Sequence, residues 1–190
     1  MLEALITSTA VVALAEIGDK TQLLAIVLTT RFKRPLPIIL GILCATLANH
    51  FVAALAGEQA AAFLDGQLFR YAIAASFILM AGWTLVPDKF DEAEPQPERF
   101  GVFVTTLISF FLVEMGDKTQ LSTIALGARF HSVLAVMTGT TLGMMLADVP
   151  AVFLGNELIK RVPLATVRMI AALLFLAIGL WLLAQTAGLV

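Results

Sequence analysis

The sequence contains one polar segment twice, each time inside a long apolar stretch. Residues 16–22 read EIGDKTQ, and residues 114–120 read EMGDKTQ. Each copy brings two carboxylates and one lysine close together. An ionised side chain at the centre of a membrane helix costs roughly 2.5–3.5 kcal/mol. Such groups must pair with one another, take up protons or bind an ion, so they are candidates for a functional site.

The spacing within each copy predicts a polar stripe along one helix. Glu16 and Asp19 are three positions apart, and Glu16 and Lys20 are four apart, so on a continuous helix they share a face. Gln22 extends the stripe with an amide oxygen. The second copy repeats the pattern, and the predicted metal ligands are Glu16, Asp19, Gln22, Glu114, Asp117 and Gln120.

Other residues of the two copies are expected to support or gate this site. A glycine beside the carboxylates permits close helix contact or a kink. The threonine hydroxyls either add ligands or bond back to their own helices. The lysines are close enough to pair with the carboxylates. These supporting residues are Gly18, Gly116, Thr21, Thr119, Lys20 and Lys118.

Three polar residues in other apolar stretches complete the set of candidates. Asn49 offers a further amide oxygen, and Asp148 offers a further ligand or a proton relay. His50 stands at the position equivalent to Asp148, and a single histidine in a membrane helix is more typical of packing. We therefore count Asn49 and Asp148, but not His50, among the supporting residues.

The charge of the two segments suits one divalent cation. Four carboxylates and two lysines sum to −2. Oxygen ligands favour Mg²⁺, Ca²⁺ or Mn²⁺, whereas zinc and copper favour His and Cys, which neither segment contains. Crowded carboxylates also hold protons more tightly. The same groups can then hold a cation in one state and protons in another, as cation/proton exchange requires. The structural alternative is an ion-pair network that only joins two helices.

The rest of the chain predicts an all-α integral membrane protein. Of its 190 residues 59% are hydrophobic and 14% are charged, and the mean hydropathy is +0.94; soluble domains carry roughly 25% charged residues. A soluble domain is therefore excluded. The net charge of −2 provides no basic face for nucleic acid. Six runs are long enough to span a bilayer, at about Leu2–Thr30, Leu36–Ala56, Leu68–Val86, Phe100–Ala128, Ser132–Leu154 and Pro163–Leu183.

An internal repeat organises these six predicted spans. Shifting the chain by 98 residues aligns residues 16–83 with 114–181 without a gap. Each copy holds three spans, an odd number, so the second copy must enter the membrane upside down. We predict two inverted three-helix repeats, 1–86 and 100–190, joined by an acidic cytoplasmic linker at 87–99. Such repeats place the substrate site near the midplane where they meet.

Basic residues outside the motifs predict the orientation of the spans. The positive-inside rule places the side richer in Lys and Arg in the cytoplasm. One side carries Arg31, Lys33, Arg34, Lys89, Arg99, Lys160 and Arg161. The other side carries only Arg70 and Arg129. Both termini are therefore predicted to face outward.

The duplicated Glu-x-Gly-Asp-Lys-Thr segment resembles the signature of a family of cation/proton exchangers. That family includes bacterial manganese exporters and eukaryotic Golgi calcium/manganese–proton exchangers. The resemblance covers essentially the whole chain, and both copies match the signature. It implies export of Mn²⁺, with Ca²⁺ as the alternative, from a bacterial cell across its inner membrane. It also implies that the ion site is lined by Glu16, Asp19, Glu114 and Asp117.

The sequence leaves several alternative functions open. A passive divalent-cation channel would conduct without proton coupling, although fixed lysines are unusual in an open cation pore. An exporter of small organic solutes would need a larger and less acidic cavity. A membrane enzyme would need a nucleophile, a metal–histidine cluster or a phosphate loop beside the carboxylates, and none accompanies them, so we expect neither an enzyme nor a cofactor. The expected partners are the cation, protons and lipid, with homodimerisation left open.

Overall fold

Helices form all the regular structure that the computed structural model describes, which covers residues 1–64, 66–86, 101–155, 157 and 162–189. The predicted all-helical class is therefore confirmed for these ranges, whereas the acidic linker predicted at 87–99 lies outside them. In chain order the helices are α1 (Leu2–Glu16), α2 (Lys20–Phe32), α3 (Pro35–Phe63), α4 (Gln67–Thr84), α5 (Gly101–Glu114), α6 (Lys118–Phe130), α7 (Val133–Leu154) and α8 (Leu164–Thr186).

The first and fourth predicted spans are each two helices rather than one. Leu2–Thr30 was expected as a single helix, but α1 ends at Glu16 and α2 starts at Lys20. Phe100–Ala128 is likewise divided between α5 and α6. The physical cause is a glycine with a positive φ in each break, +82° at Gly18 and +79° at Gly116. This conformation is incompatible with a right-handed helix, and glycine adopts it without strain.

Three of the helices are long and apolar enough to cross a membrane, namely α3, α7 and α8. The helix α3 has 29 residues, α7 has 22 and α8 has 23, and each contains an apolar stretch of spanning length. A span needs about 20 apolar residues at 1.5 Å each. The shorter helices on either side of each break reach this length only as pairs.

The helices pack through contacts that recur at equivalent positions of the two halves. The helix α1 packs on α7, and the equivalent α5 packs on α3. At both contacts a glycine admits the neighbouring backbone. A Cβ on Gly139 would lie 2.6 Å from the Leu5 oxygen, and one on Gly41 would lie 2.9 Å from the Phe103 oxygen. Leu5 and Phe103 are themselves related by the 98-residue shift, so the two contacts match.

The last helix of each half also meets its counterpart. The helix α4 packs on α8, and Phe77 contacts Phe175 with 6.2 Å between ring centroids. Both rings are buried, and they too are 98 positions apart. Burying aromatic rings removes a large apolar area from solvent. These contacts hold the two halves together around the broken helices.

Candidate functional site

The two helix breaks carry the acidic residues of the motifs. Glu16 is the last residue of α1, and Asp19 is the N-cap of α2. Glu114 and Asp117 stand at the same places on α5 and α6. In each break the aspartate N–H donates to the glutamate carbonyl oxygen, at 3.0 Å in the first and 3.1 Å in the second. The predicted stripe on one continuous helix is therefore wrong, because three residues between the helices turn the chain.

Both breaks are clamped by the glutamine that follows them. Gln22 Oε1 accepts a hydrogen bond from the Gly18 N–H at 3.0 Å, and Gln120 Oε1 accepts one from the Gly116 N–H at 2.7 Å. Gln22 Nε2 donates to the Ala147 oxygen at 2.9 Å. The amide oxygens thus stabilise the turn in this conformation. Their direct binding of metal stays a prediction.

The lysines pair across the two motifs rather than within them. Lys20 Nζ lies 2.9 Å from Asp117 Oδ1, and Lys118 Nζ lies 2.6 Å from Asp19 Oδ1. The expected pair between Glu16 and Lys20 on one helix is therefore wrong, because the break at Gly18 removes the four-residue helical spacing. Each motif supplies the lysine for the other motif's aspartate, which ties the two halves together.

Three carboxylates of the two motifs converge in one buried cluster. One oxygen each from Glu16, Asp19 and Asp117 lies within 4.8 Å of the others. All three side chains are buried, with 3% exposure or less. Two ligands of a Ca²⁺ ion can be at most about 4.6–5.2 Å apart, since each lies 2.3–2.6 Å from the ion. The three oxygens are therefore close enough to one another to bind one such ion once the lysines move aside, whereas a smaller ion requires a slight contraction.

Glu16 is bonded by residues of both motifs. Its two carboxylate oxygens accept hydrogen bonds from the hydroxyls of Thr21 and Thr119, one from each motif. Thr119 reaches across to the first motif instead of bonding Glu114, its neighbour in sequence. Both threonines are fully buried. The sequence predicted a supporting role for them, and the structure places both hydroxyls on the same carboxylate.

Glu114 has a different environment, although it is the equivalent residue. Among the described residues neither of its carboxylate oxygens has a hydrogen-bond partner. A buried histidine lies beside it, with His50 Nε2 at 3.8 Å from Glu114 Oε1. The other ring nitrogen of His50 lies 3.4 Å from the Thr141 hydroxyl. Sequence reasoning assigned His50 to packing, and its equivalence to Asp148 was the signal that could have placed it here.

Asn49 and Asp148 are buried near the motifs in different roles. Asn49 Oδ1 accepts a hydrogen bond from Gln120 Nε2 at 3.0 Å, and Asn49 Nδ2 donates to the Phe111 oxygen at 3.1 Å. Asn49 thus positions Gln120. Asp148 interacts electrostatically with Glu16 and Glu114, and within the described residues neither of its oxygens accepts a hydrogen bond. It adds a fifth buried carboxylate to the four of the motifs.

The two breaks also differ in what covers them. A Cβ built on Gly18 would lie 2.7 Å from the Leu164 side chain at the start of α8. At Gly116 no described atom comes within 4 Å of the same position, and Met115 beside it is 56% exposed. The repeat shift pairs Leu164 with Gly66, which has no side chain. Sequence reasoning missed Leu164 because an apolar residue at a helix start carries no distinctive signal.

Comparison with known proteins places the geometry in context. The family model described as "Divalent cation/proton antiporter GDT1" matches residues 4–92 and 102–189. A protein of Vibrio cholerae named "Putative manganese exporter" is 46% identical, over 95% of this chain and 90% of its own length. No solved structure matches the chain.

More distant relatives extend over nearly the whole chain. A GDT1-like protein of Synechocystis is 29% identical, over 92% of this chain and 94% of its own length. The divalent cation/proton antiporter GDT1 of Saccharomyces cerevisiae is 24% identical, over 97% of this chain and 84% of its own length. The similarity therefore includes both motifs and the helices that hold them.

Proposed function

The chain belongs to the divalent cation/proton antiporter GDT1 family, and from this premise we propose that it exports Mn²⁺ in exchange for protons. The family consists of membrane transporters, not enzymes, and the ions it carries are substrates rather than cofactors. Mn²⁺ is proposed because the relative at 46% identity bears the name of a manganese exporter. Ca²⁺ is the second candidate, since both ions prefer oxygen ligands.

The observation that carries the proposal is the buried cluster of Glu16, Asp19 and Asp117, whose oxygens lie within 4.8 Å of one another. Three carboxylates this close repel one another unless a cation or protons compensate their charge. Exposed acidic clusters can rely on water instead, but these side chains are buried. The lysines paired with Asp19 and Asp117 compensate only part of this charge, and exchange between a metal ion and protons would provide the rest.

The lysines suggest how the aspartates are compensated between transport steps. Asp19 and Asp117 each pair with a lysine from the opposite motif. We propose that these ammonium groups compensate the aspartates in the ion-free state of the transport cycle and withdraw when a cation binds. Four motif carboxylates and two lysines leave a charge of −2, which one divalent ion balances when the neighbouring Asp148 holds a proton. Two protons balance it equally, which is the electrical condition for exchange without net charge movement.

We further propose alternating access by two inverted repeats, with three spans in each. The broken helix pairs α1–α2 and α5–α6 would act as one span each. Discontinuous helices that meet at the midplane are typical of transporters built from inverted repeats. The different exposure of the equivalent lysines, 3% for Lys118 and 27% for Lys20, supports this proposal, because a transporter open to one side must hold its two halves in different conformations. The repeats are 1–86 and 100–190. Both termini would lie on the outer face of a bacterial inner membrane.

Transport by the purified chain in proteoliposomes tests this function. With an imposed proton gradient, Mn²⁺ uptake and proton release should be coupled, and Ca²⁺ should compete. Glu16→Gln and Asp117→Asn should each lower the rate at least 100-fold, because each removes a ligand charge. Glu3→Gln is the matched control, since Glu3 is an exposed acid on α1 outside the site.

Two outcomes would overturn the proposal. If Mn²⁺ moved down its own gradient at the same rate without any proton movement, the chain would be a passive channel. If both variants transported as fast as the control, the motif carboxylates would not form the ion site. An exporter of organic solutes is less favoured, because the space among these carboxylates is no larger than one ion.

A further inference from the structure

A buried histidine faces one of the motif glutamates without bonding to it. His50 is fully buried on α3. Its Nε2 lies 3.8 Å from Glu114 Oε1, which is longer than an N–H···O hydrogen bond. Among the described residues neither this nitrogen nor either carboxylate oxygen of Glu114 has a hydrogen-bond partner. Buried polar atoms in this state are uncommon and indicate a further role, such as binding an ion.

The imidazole is held by contacts with three other helices. Its second nitrogen, Nδ1, lies 3.4 Å from the Thr141 hydroxyl of α7, whose oxygen can accept its hydrogen. The preceding residue, Asn49, donates to the Phe111 oxygen of α5 and accepts from Gln120 of α6. A hydrogen on Nδ1 leaves a lone pair on Nε2, which is the form in which imidazole binds metal ions. The ring thus presents a ligand nitrogen to Glu114.

The repeat provides a candidate ligand at this position in both halves. The 98-residue shift pairs His50 with Asp148, and Glu114 with Glu16. Asp148 interacts electrostatically with Glu16, as His50 faces Glu114. Each glutamate therefore meets a candidate ligand from the opposite half, an oxygen in one case and a nitrogen in the other. Packing alone would be served by an apolar side chain, which has no polar atoms to bury.

The distance between His50 and Glu114 suits a shared divalent ion. Even for the small Zn²⁺ ion, nitrogen and oxygen ligands lie about 2.0–2.2 Å from the metal, so two of them can be about 4.2 Å apart. The 3.8 Å between Nε2 and Oε1 is within this limit. Glu114 also interacts electrostatically with Asp117 of the buried carboxylate cluster and with Asp148. The pair therefore borders the cluster and has a further carboxylate nearby.

We propose that His50 Nε2 and Glu114 form a second binding position for the transported ion, next to the buried carboxylate cluster. This inference rests on the proposed export of a divalent cation and adds a reason for its preference. Carboxylates bind both Mn²⁺ and Ca²⁺, whereas an imidazole nitrogen suits transition metals and Ca²⁺ takes oxygen ligands. His50 therefore selects Mn²⁺ over Ca²⁺.

Electron paramagnetic resonance of bound Mn²⁺ tests the nitrogen ligand directly. The purified chain in detergent is loaded with one and then two equivalents of Mn²⁺, and pulsed measurements detect nitrogen nuclei coupled to the metal. The unmodified chain should show such a coupling, and the coupling should change when its histidines carry ¹⁵N. Absence of nitrogen coupling at both loadings would overturn the proposal, and this measurement does not depend on any variant folding.

The second histidine of the chain supplies the matched control. The chain has two histidines, and His131 is exposed at the end of α6. Its backbone is left-handed, with a φ of 48°, and asparagine tolerates this conformation. The nitrogen coupling should therefore persist in His131→Asn and disappear in His50→Gln. The reverse result would assign the nitrogen to the surface histidine and overturn the proposal.

Competition between ions in proteoliposomes tests the selectivity. His50→Gln replaces the ligand nitrogen by an amide oxygen of similar reach, so Mn²⁺ should still be transported. The Ca²⁺ concentration that halves Mn²⁺ uptake should fall on the order of tenfold, the lower end of the effects of changes around metal-ligating histidines. His131→Asn should leave this concentration unchanged.

The two measurements separate this inference from the function on which it rests. Unchanged Ca²⁺ sensitivity in His50→Gln, with Mn²⁺/proton exchange intact, would overturn the selective ligand and leave the exporter standing. A histidine nitrogen on bound Mn²⁺ in a chain that transports no Mn²⁺ would overturn the exporter and leave the binding position standing. Loss of proton coupling in His50→Gln with an unchanged ion preference would make His50 a proton carrier, and would also overturn the selective ligand.

Discussion

The two copies of the motif have nearly the same sequence and different environments. In the first copy Glu16 accepts two hydroxyl hydrogen bonds, and its break is covered by Leu164. In the second copy Glu114 accepts none from the described residues and faces His50. Six of the seven motif residues are identical, so the difference cannot come from the motif. It comes from the residues packed against each copy, since His50 stands where the other half has Asp148 and Leu164 where it has Gly66.

The lysines show the same difference. Lys118 is 3% exposed in its pair with Asp19, whereas Lys20 is 27% exposed in its pair with Asp117. One cross-motif pair is therefore enclosed and the other is reached by solvent or lipid. An exchanger with two equivalent halves needs such a difference in every working state. The following experiments test whether this structural difference between the two copies is matched by a difference in their contributions to stability.

The largest expected loss of stability follows the removal of a lysine from one of the two cross-motif pairs. Lys118→Met should destabilise the fold by about 3–5 kcal/mol, because it leaves the buried Asp19 without that partner. Lys20→Met should cost less, about 1–2 kcal/mol, because the partly exposed end of this pair lets solvent reach Asp117 in place of the lysine. The free energy of unfolding in mixed micelles measures both. Asp19→Asn/Lys118→Met should recover most of the loss, and equal losses in the two single variants would contradict the asymmetry.

A smaller effect is expected at the threonines that bond Glu16. Thr21→Val and Thr119→Val should each cost about 1.5–3 kcal/mol, the contribution of a hydrogen bond to a charged group. A double-mutant cycle sharpens the comparison. Thr119→Val should be strongly non-additive with Glu16→Gln and additive with Glu114→Gln. The reverse result would mean that the Thr119 hydroxyl donates its hydrogen bond to Glu114 of its own motif, so that the two motifs would be bonded alike.

The smallest expected difference is between the two glycines. Gly116→Ala should cost about 1–2 kcal/mol, because an L-residue at this positive φ is strained. Gly18→Ala should cost about 1 kcal/mol more, since its Cβ would also meet Leu164. Thermal unfolding in detergent compares the two variants. In a Leu164→Ala background the extra cost should vanish, and an unchanged difference would show that Leu164 does not close the first break.

Much of the architecture could be predicted from the sequence, because the membrane imposes strong rules. Apolar runs of spanning length give helices, and the last helices, α7 and α8, start within a residue or so of the predicted spans. The 98-residue shift aligns Gly41 with Gly139, and the structure packs both against a neighbouring backbone in the same way. The helix breaks were not predicted, since Gly18 and Gly116 are compatible with a kink, a close contact or a full interruption.

The sequence predicted which residues belong to the candidate site better than it predicted which of them contact one another. Local spacing paired Glu16 with Lys20, but the structure pairs Lys20 with Asp117 of the other half. Spacing rules assume one continuous helix, and they fail where the chain turns. Thr119 and His50 show the same limit, because each acts on a glutamate that sequence distance does not select.

The sequence by itself determined the class of molecule, the duplication and the residues that must be compensated. Charged groups inside apolar runs can be recognised from composition alone, because their cost in lipid does not depend on the details of the fold. The tertiary structure alone decided which carboxylate meets which lysine, hydroxyl or histidine, and which break Leu164 covers. Two nearly identical segments can be distinguished only by their neighbours, and neighbours are brought together by packing between the halves.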